Sequence, residues 1–306
     1  MSKFYLKIFS GIEQEIVLRA VQVKTDNYTP ELARDFWAGL SRASGPLALA
    51  GHDSTDADAV ASMLLLWRKL NEQGKDAALY FSQNDLAFVQ NNSMLNGLLE
   101  QVKKMGAKVY TEGPGADQLP QKYTNLALLD TANANTRNKW LAAREFKHIF
   151  EIDHHFGGET LPVDAYIGSN LYASTAGLLG QIFLDNDLSI DKFDAHLLLV
   201  SVAGDTAGGR TALSENAWQL LEKLESYINE EADRLSGGEL RELLKNILEG
   251  YYNGLKDYTA ETLELAERLM ENRQTISFSL PAGMAAESIK IITLDGGEQP
   301  DGKWRY

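Results

Sequence analysis

The sequence holds no cysteine, which excludes disulfides, thiolate zinc sites and cysteine nucleophiles together. Any metal must then be held by imidazole and carboxylate, a donor set that favours harder divalent ions, manganese or magnesium, over structural zinc. Histidine is also scarce, five in 306 residues, so where those five fall is informative. No apolar run approaches the length of a membrane span, and Met1-Ser2-Lys3-Phe4-Tyr5 opens no secretory signal. The expected location is cytoplasmic, with no membrane contact. Positive charge is in deficit: 29 Lys and Arg against 43 Asp and Glu leave a formal net charge of −14. That balance argues against a generic grip on long nucleic acid, which needs clustered Lys and Arg. It leaves room for a phosphorylated substrate at a metal centre, because bound cations offset local charge. Neither a Gly-x-Ser-x-Gly elbow nor a Walker loop is present.

What is there is a globular composition, 44% hydrophobic, in a chain long enough for two domains. After an extended segment, Phe4 to Val23, a helix is expected from Thr29-Pro30-Glu31, with proline at its first position. Strands are expected at Leu47 to Gly51, Ala77 to Ser82, Lys108 to Thr111, Asn125 to Asp130, His148 to Ile152 and Ala165 to Gly168. Helices are expected at Ala59 to Asn71, Ser93 to Met105, Thr136 to Glu145, Thr175 to Asn186, Asp191 to Val202 and Glu215 to Ile228. This alternation predicts an α/β fold, a doubly wound, mostly parallel sheet covered on both faces. The charged stretch Asn229 to Arg234 with Ser236-Gly237-Gly238 reads as a hinge. Beyond it, helices at Glu239 to Leu255 and Thr259 to Asn272 and strands at Thr275 to Leu280 and Ser288 to Leu294 predict a second, smaller α+β domain. The division expected is 1–228, with 1–46 as an N-terminal extension, and 229–306, a unit small enough to need packing against the first.

Four polar clusters sit where these elements end. Gly51-His52-Asp53-Ser54-Thr55-Asp56-Ala57-Asp58 fills the turn from the first strand into a helix. One carboxylate would serve there as an N-cap, and a histidine with three acids exceeds that need. Asp130 closes Leu126-Ala127-Leu128-Leu129, a position equally open to a turn former. Asp153-His154-His155 follows Phe150-Glu151-Ile152 and takes two of the five histidines. Gly204-Asp205-Thr206 closes an apolar helix. In a doubly wound sheet the strand ends face one crevice, and carboxylates this dense would repel one another without cations.

In order, His52-x3-Asp56-x-Asp58, Asp130, Asp153-His154-His155 and Gly204-Asp205-Thr206 resemble the four motifs of the DHH phosphoesterase superfamily. That group spans RecJ-type exonucleases, oligoribonuclease and phosphoadenosine phosphatases, cyclic-dinucleotide phosphodiesterases and manganese-dependent inorganic pyrophosphatases. The resemblance covers roughly Leu47 to Thr211, including the helix start Ala173-Ser174-Thr175-Ala176-Gly177. It implies two divalent ions, manganese first, with magnesium or cobalt as alternatives. One would be held by His52, Asp56 and Asp130, the other by Asp58, Asp130, His154 and Asp205, so that Asp130 bridges. It also implies that His155 touches a substrate phosphate oxygen or assists the leaving group. Asp153 reads as its catalytic support, orienting His154 through the second ring nitrogen or holding the backbone turn. Arg210 matches a basic residue that faces substrate phosphate in several members. Asn133, Asn135 and Arg137 are edge candidates, Asp53 lies outside the pattern, and His148 and His196 read as structural.

Departures bear on substrate. The glycine-rich, histidine-containing motif of many DHH phosphodiesterases has no counterpart: Leu294-Asp295-Gly296-Gly297-Glu298 and Lys303-Trp304-Arg305-Tyr306 lack the histidine. Ser54-Thr55 stands where Asn-Pro is common, and Ala57 where Gly or Thr is frequent. The expectation is a phosphohydrolase acting on a small phosphorylated substrate, a short oligonucleotide, nucleotide phosphate or cyclic dinucleotide. The alternatives are a pyrophosphatase or exopolyphosphatase and, in another class, a non-catalytic DHH-fold scaffold or nucleotide sensor. Oligomeric state is left open, a homodimer among the options.

Overall fold

The structure is a computed structural model that describes residues 26–112, 118–131, 141, 144–155, 163–208, 213–228 and 244–250. Its centre is a six-stranded sheet built from β1 (Leu47–Ala50), β2 (Ala77–Phe81), β3 (Lys108–Thr111), β4 (Asn125–Leu129), β5 (His148–Asp153) and β6 (Ala165–Gly168). The strand order is β3-β2-β1-β4-β5-β6, and every pairing is parallel rather than mostly so. The chain moves outward from β1 to β3 and then returns to place β4 on the other side of β1. The crevice beyond the carboxyl ends of β1 and β4 is therefore the topological switch point, where such sheets bind ligands.

Strands β1, β2 and β4 are buried at every position, as their unbroken apolar runs require. One face carries Leu47, Leu49, Leu79, Phe81, Ala127, Leu129 and Ile152 into the main core. Onto it pack α1 (Pro30–Arg42), α2 (Ala57–Glu72), α4 (Ser93–Lys104), α5 (Thr175–Asp185), α6 (Lys192–Asp205) and α7 (Glu215–Ile228). The other face carries Ala48, Ala50, Tyr80, Leu126 and Leu128, covered by Leu119, Tyr123, Leu141 and Phe146. Leu244 and Leu248, in the helical stretch 244–250, are also buried in the main core.

Helix α2 runs through the middle, buried from Ala57 to Leu70 and packed between α5 and α6. Each fully buried leucine there contributes about 2 kcal/mol of transfer free energy. Its far end buries charge as well: Arg68 pairs with Asp191 at 2.7 Å and with Asp194, and Lys69 with Asp194 at 2.6 Å and Glu72 at 2.9 Å. Asp191 and Asp194 are also the two halves of the capping box of α6. Where α2 begins and α6 ends, Gly204 lets the two helices close: a Cβ there would lie 3.1 Å from Ala57 Cβ. That close approach brings the acids at these helix ends together.

Three expected strands stop one residue early, at Ala50, Phe81 and Leu129. Gly51, Ser82 and Asp130 have already left the ladder: Ser82 caps the next helix, and Asp130 adopts φ 57°. Helix α3 (Gln83–Asn91) was not expected; it buries only Asp85 and Val89, too little for an apolar stripe. Helix α6 runs on past Val202 to Asp205, and α2 starts at Ala57. The segment Phe4 to Val23, most of Thr136 to Glu145 and the strands at 275–280 and 288–294 lie outside the described residues. Among the described residues no helix is long and apolar enough to cross a membrane.

Candidate metal centre

Eight of the nine acids and histidines of the four clusters, all but Asp53, meet at the switch point. His52 follows β1, Asp130 follows β4, Asp153 ends β5 with His154 and His155 after it, and Asp205 ends α6. Asp56 is the N-cap of α2, its Oδ1 accepting from the Ala59 N–H at 3.1 Å. Its Oδ2 lies 3.5 Å from His52 Nε2. Capping and site membership are thus shared between the two oxygens of one carboxylate. His52 Nδ1 donates to the Asp53 carbonyl at 2.7 Å, which sets the tautomer and turns Nε2 toward the acids. Asp53 therefore contributes its backbone here.

Asp130 stands between two groups. Its Oδ2 is 3.5 Å from His52 Nε2, while its Oδ1 is 3.5 Å from His154 Nε2 and 3.3 Å from His155 Nδ1. On one side His52, Asp56 and Asp130 bring three ligand atoms within 4.8 Å of one another; on the other Asp58, His154 and Asp205 do the same. Asp130, His154 and His155 form a third such set. His154 Nε2 is 3.0 Å from Asp205 Oδ2 and 3.7 Å from Asp58 Oδ2. The left-handed backbone of Asp130 is tolerated by Asp better than by most residues, and it recurs nearby at Ser54, Ala173 and Ala207, with φ of 64°, 65° and 49°.

Asp58 is fully buried and receives the N-terminus of α5: the Thr175 N–H donates to Oδ2 at 2.7 Å and the Ala176 N–H to Oδ1 at 3.0 Å. The Thr175 hydroxyl donates to Asp130 Oδ1 at 3.2 Å. A helix N-terminus directed at a buried carboxylate favours its negative charge. Two further donors, Ser62 and Ser201, escape a sequence reading focused on acids and histidines. Their only trace is spacing, Ser62 four residues after Asp58 and Ser201 four before Asp205, each a polar residue in an apolar helix.

Asp153 engages the residue beyond His154: its Oδ1 accepts from the His155 N–H at 3.1 Å and lies 2.8 Å from His155 Nδ1. His148, at the start of β5, faces Asp164 at 4.0 Å, and His196 is exposed on α6, both away from the centre. Arg210, Asn133, Asn135 and Arg137 lie outside the described residues.

The electrostatics are those of a cation site. Burial penalises the charged imidazoles, yet neighbouring carboxylates outweigh it. Asp130 and Asp56 hold His52 well above its usual range, Asp205, Asp130 and Asp58 lift His154 to about 10, and Asp130 and Asp153 lift His155 to about 9. Asp58 is pushed up by burial and by the charges of Asp130 and Asp205. Asp205 is raised by burial as well, against the pull of His154. Burial would raise Asp130 too, but His155, His52 and His154 bring it well below the usual carboxylate range. Metal ligation requires neutral imidazoles, and four carboxylates around them would then leave a deficit that divalent cations fill. Asp205 Oδ2 is buried without a hydrogen-bond partner among the described residues, although His154 Nε2 is 3.0 Å away. With the imidazole deprotonated, His154 Nε2 and Asp205 Oδ2 would be two acceptor atoms side by side, arranged as ligands of a common ion. The residues present therefore fit divalent metal in two adjoining sets.

Fold and site together define an α/β domain with adjoining candidate metal-ligand sets. The family model described as DHH family, N-terminal domain, matches residues 46–202, more than half of the chain. The chain belongs to the DHH family. Among solved structures it is similar to an exopolyphosphatase-related protein from Bacteroides fragilis, with 17% identity and a TM-score of 0.47 over 81% of this chain and 67% of that one. It is also similar to a putative family II inorganic pyrophosphatase from Methanococcus jannaschii, with 17% identity and a TM-score of 0.43 over 67% and 61% of the two chains. A third is the exonuclease RecJ bound to manganese, with 16% identity and a TM-score of 0.40 over 80% and 66%. The chain thus spans between 61% and 67% of the length of these structures. No curated protein matches the chain.

Proposed function

We propose that this chain is a manganese-dependent phosphohydrolase with a dinuclear centre, acting on a small phosphorylated substrate such as a short oligonucleotide, a nucleotide phosphate or a cyclic dinucleotide. The observation that carries the reading is Asp130, whose two oxygens face His52 on one side and His154 on the other. His52, Asp56 and Asp130 would hold one ion, and Asp58, Asp130, His154 and Asp205 the second. When bound, such ions supply Lewis acidity that activates water and neutralises charge on the reacting phosphoryl group. Magnesium and cobalt suit the same donors.

The chain's own residues then divide the remaining work. Asp153 and Asp130 engage His155 Nδ1, which leaves Nε2 as the nitrogen that donates to a phosphoryl or leaving-group oxygen. Asp153 steadies that ring, and Asp130 and Asp153 raise its basicity against the cost of burial in the metal-free chain. Arg210 is assigned to the phosphate, where its guanidinium suits bidentate contact. No side-chain nucleophile is required. The test is a panel of pyrophosphate, polyphosphate, phosphoadenosine phosphate, cyclic dinucleotides and dinucleotide RNA, offered to the Mn²⁺-loaded chain. Hydrolysis of a dinucleotide, nucleotide phosphate or cyclic dinucleotide supports the reading. Preference for pyrophosphate or polyphosphate replaces the substrate with the alternative one, and silence across the panel with metal bound overturns the enzyme.

A further inference from the structure

The two oxygens of Asp58 are treated unequally. Oδ1 accepts three hydrogen bonds, from Ser201 Oγ at 2.6 Å, the Ala176 N–H at 3.0 Å and Ser62 Oγ at 3.1 Å. Oδ2 accepts one, from the Thr175 N–H at 2.7 Å, and is the oxygen that faces His154 Nε2 at 3.7 Å. A carboxylate oxygen offers two lone-pair directions, so three donors saturate Oδ1, while Oδ2 retains one direction for a cation. The donors arrive from three helices. Ser62 is one turn along α2 from Asp58, Ala176 opens α5, and Ser201 lies on α6 one turn before Asp205. Ser201 is itself fixed, its Oγ 2.6 Å from that of Ser174, which caps α5 by accepting from the Gly177 N–H at 3.0 Å. Ser62, Ser174 and Ser201 are fully buried, so water does not compete for these bonds.

We infer that Ser201, together with Ser62 and the first turn of α5, confines Asp58 to a single ligating oxygen and so sets the centre's preference for a small divalent ion over calcium. Calcium takes about six to eight oxygen ligands at about 2.3–2.6 Å and favours bidentate carboxylates; magnesium-sized ions demand near-octahedral sites with shorter bonds. A carboxylate with one oxygen occupied by three protein donors cannot close around the larger ion without breaking those bonds. Ser201 touches neither metal nor substrate and is a positioning residue. The inference rests on the metal-centre reading above and adds to it the residue that sets ion choice.

The test is competition between Mn²⁺ and Ca²⁺, each as the metal alone, followed by the electron paramagnetic resonance signal of free Mn²⁺. The variants are Ser201→Ala, Ser62→Ala, Ser201→Thr, which keeps a hydroxyl, and Val202→Ala, an equally buried packing control on the same helix. The preference for Mn²⁺ over Ca²⁺ should fall by about tenfold in Ser201→Ala. It should fall in the same direction in Ser62→Ala, which carries the test alone if Ser201→Ala does not fold, and hold in Ser201→Thr and Val202→Ala. A wild-type chain that binds Mn²⁺ while both alanine variants keep its ion preference overturns the inference and leaves the metal centre standing. A wild-type chain that binds no Mn²⁺ overturns the metal-centre reading, and the inference with it.

Discussion

Replacing Asp130 by Asn removes one charge and changes almost nothing in shape, so it isolates what the shared carboxylate does. Its Oδ2 lies 3.5 Å from His52 Nε2 and its Oδ1 3.5 Å from His154 Nε2, so both ligand sets lose a charged oxygen at once. An ion held at about 100 times its dissociation constant stabilises the folded state by about 2.7 kcal/mol, and two ions by about 5 kcal/mol. At about 2–4 °C per kcal/mol for a domain of this size, the wild-type melting temperature should rise about 10–20 °C between chelator and saturating Mn²⁺. Asp130→Asn should lose most of that rise. Asp56→Asn, which touches one set only, should keep about half. Melting each variant with chelator and with Mn²⁺ reads both numbers directly. An Asp130→Asn chain that keeps the full rise, or Asp56→Asn and Asp130→Asn losing equal amounts, refutes the bridging role.

Proton competition gives a second outcome. With His154 held protonated up to about 10 and His155 to about 9, ion binding must expel the His154 proton at neutral pH. Mn²⁺ affinity should then rise by about tenfold per pH unit per proton released and level off above about pH 10; calorimetry in buffers of different ionisation enthalpy counts the protons. The metal-free fold should behave oppositely, because a raised histidine pKa adds stability that is complete below about 6.5 and lost as pH rises through 10. His155→Gln should lower kcat by about 10²-fold or more while Mn²⁺ stoichiometry stays unchanged; Asp153→Asn should act in the same direction and shift the acidic-to-basic break in the pH–rate profile downward. Asp194→Ala removes the buried carboxylate shared by Lys69 and Arg68, leaving them Glu72 and Asp191, and should cost about 1.5–3 kcal/mol in denaturant unfolding, with Mn²⁺ affinity in the folded fraction unaltered.

Much of the sheet was legible because a buried parallel strand is a continuous apolar run, and Leu47–Ala50, Ala77–Phe81 and Asn125–Leu129 are such runs. The residues that gather at the switch point stood out for a related reason: polar side chains at the ends of these runs have few structural uses beyond one cap each. Which carboxylate of the first cluster caps the helix was not legible; Asp56 does so with one oxygen and faces His52 with the other. The contact of Asp153 with the His155 ring was not legible, because it depends on how the chain turns after β5 ends at Asp153. Helix α3 was missed because its buried residues, Asp85 and Val89, do not form a stripe; Asp85 is inside because it accepts from the Thr55 N–H at 3.0 Å. The donors to Asp58 were invisible for the same kind of reason. Ser62 and Ser201 are ordinary helical serines until α2 and α6 pack, and packing is not written in either helix alone.

The central claim is that two ions, held by sets sharing Asp130, are needed together for hydrolysis. The most direct measurement is the rate of product release, on the best substrate of the panel, as Mn²⁺ is titrated into the metal-free chain and bound metal is counted in the same samples. The account predicts little turnover at one ion per chain and a rise that follows the second. Full activity at one bound ion, or none at two, would contradict it.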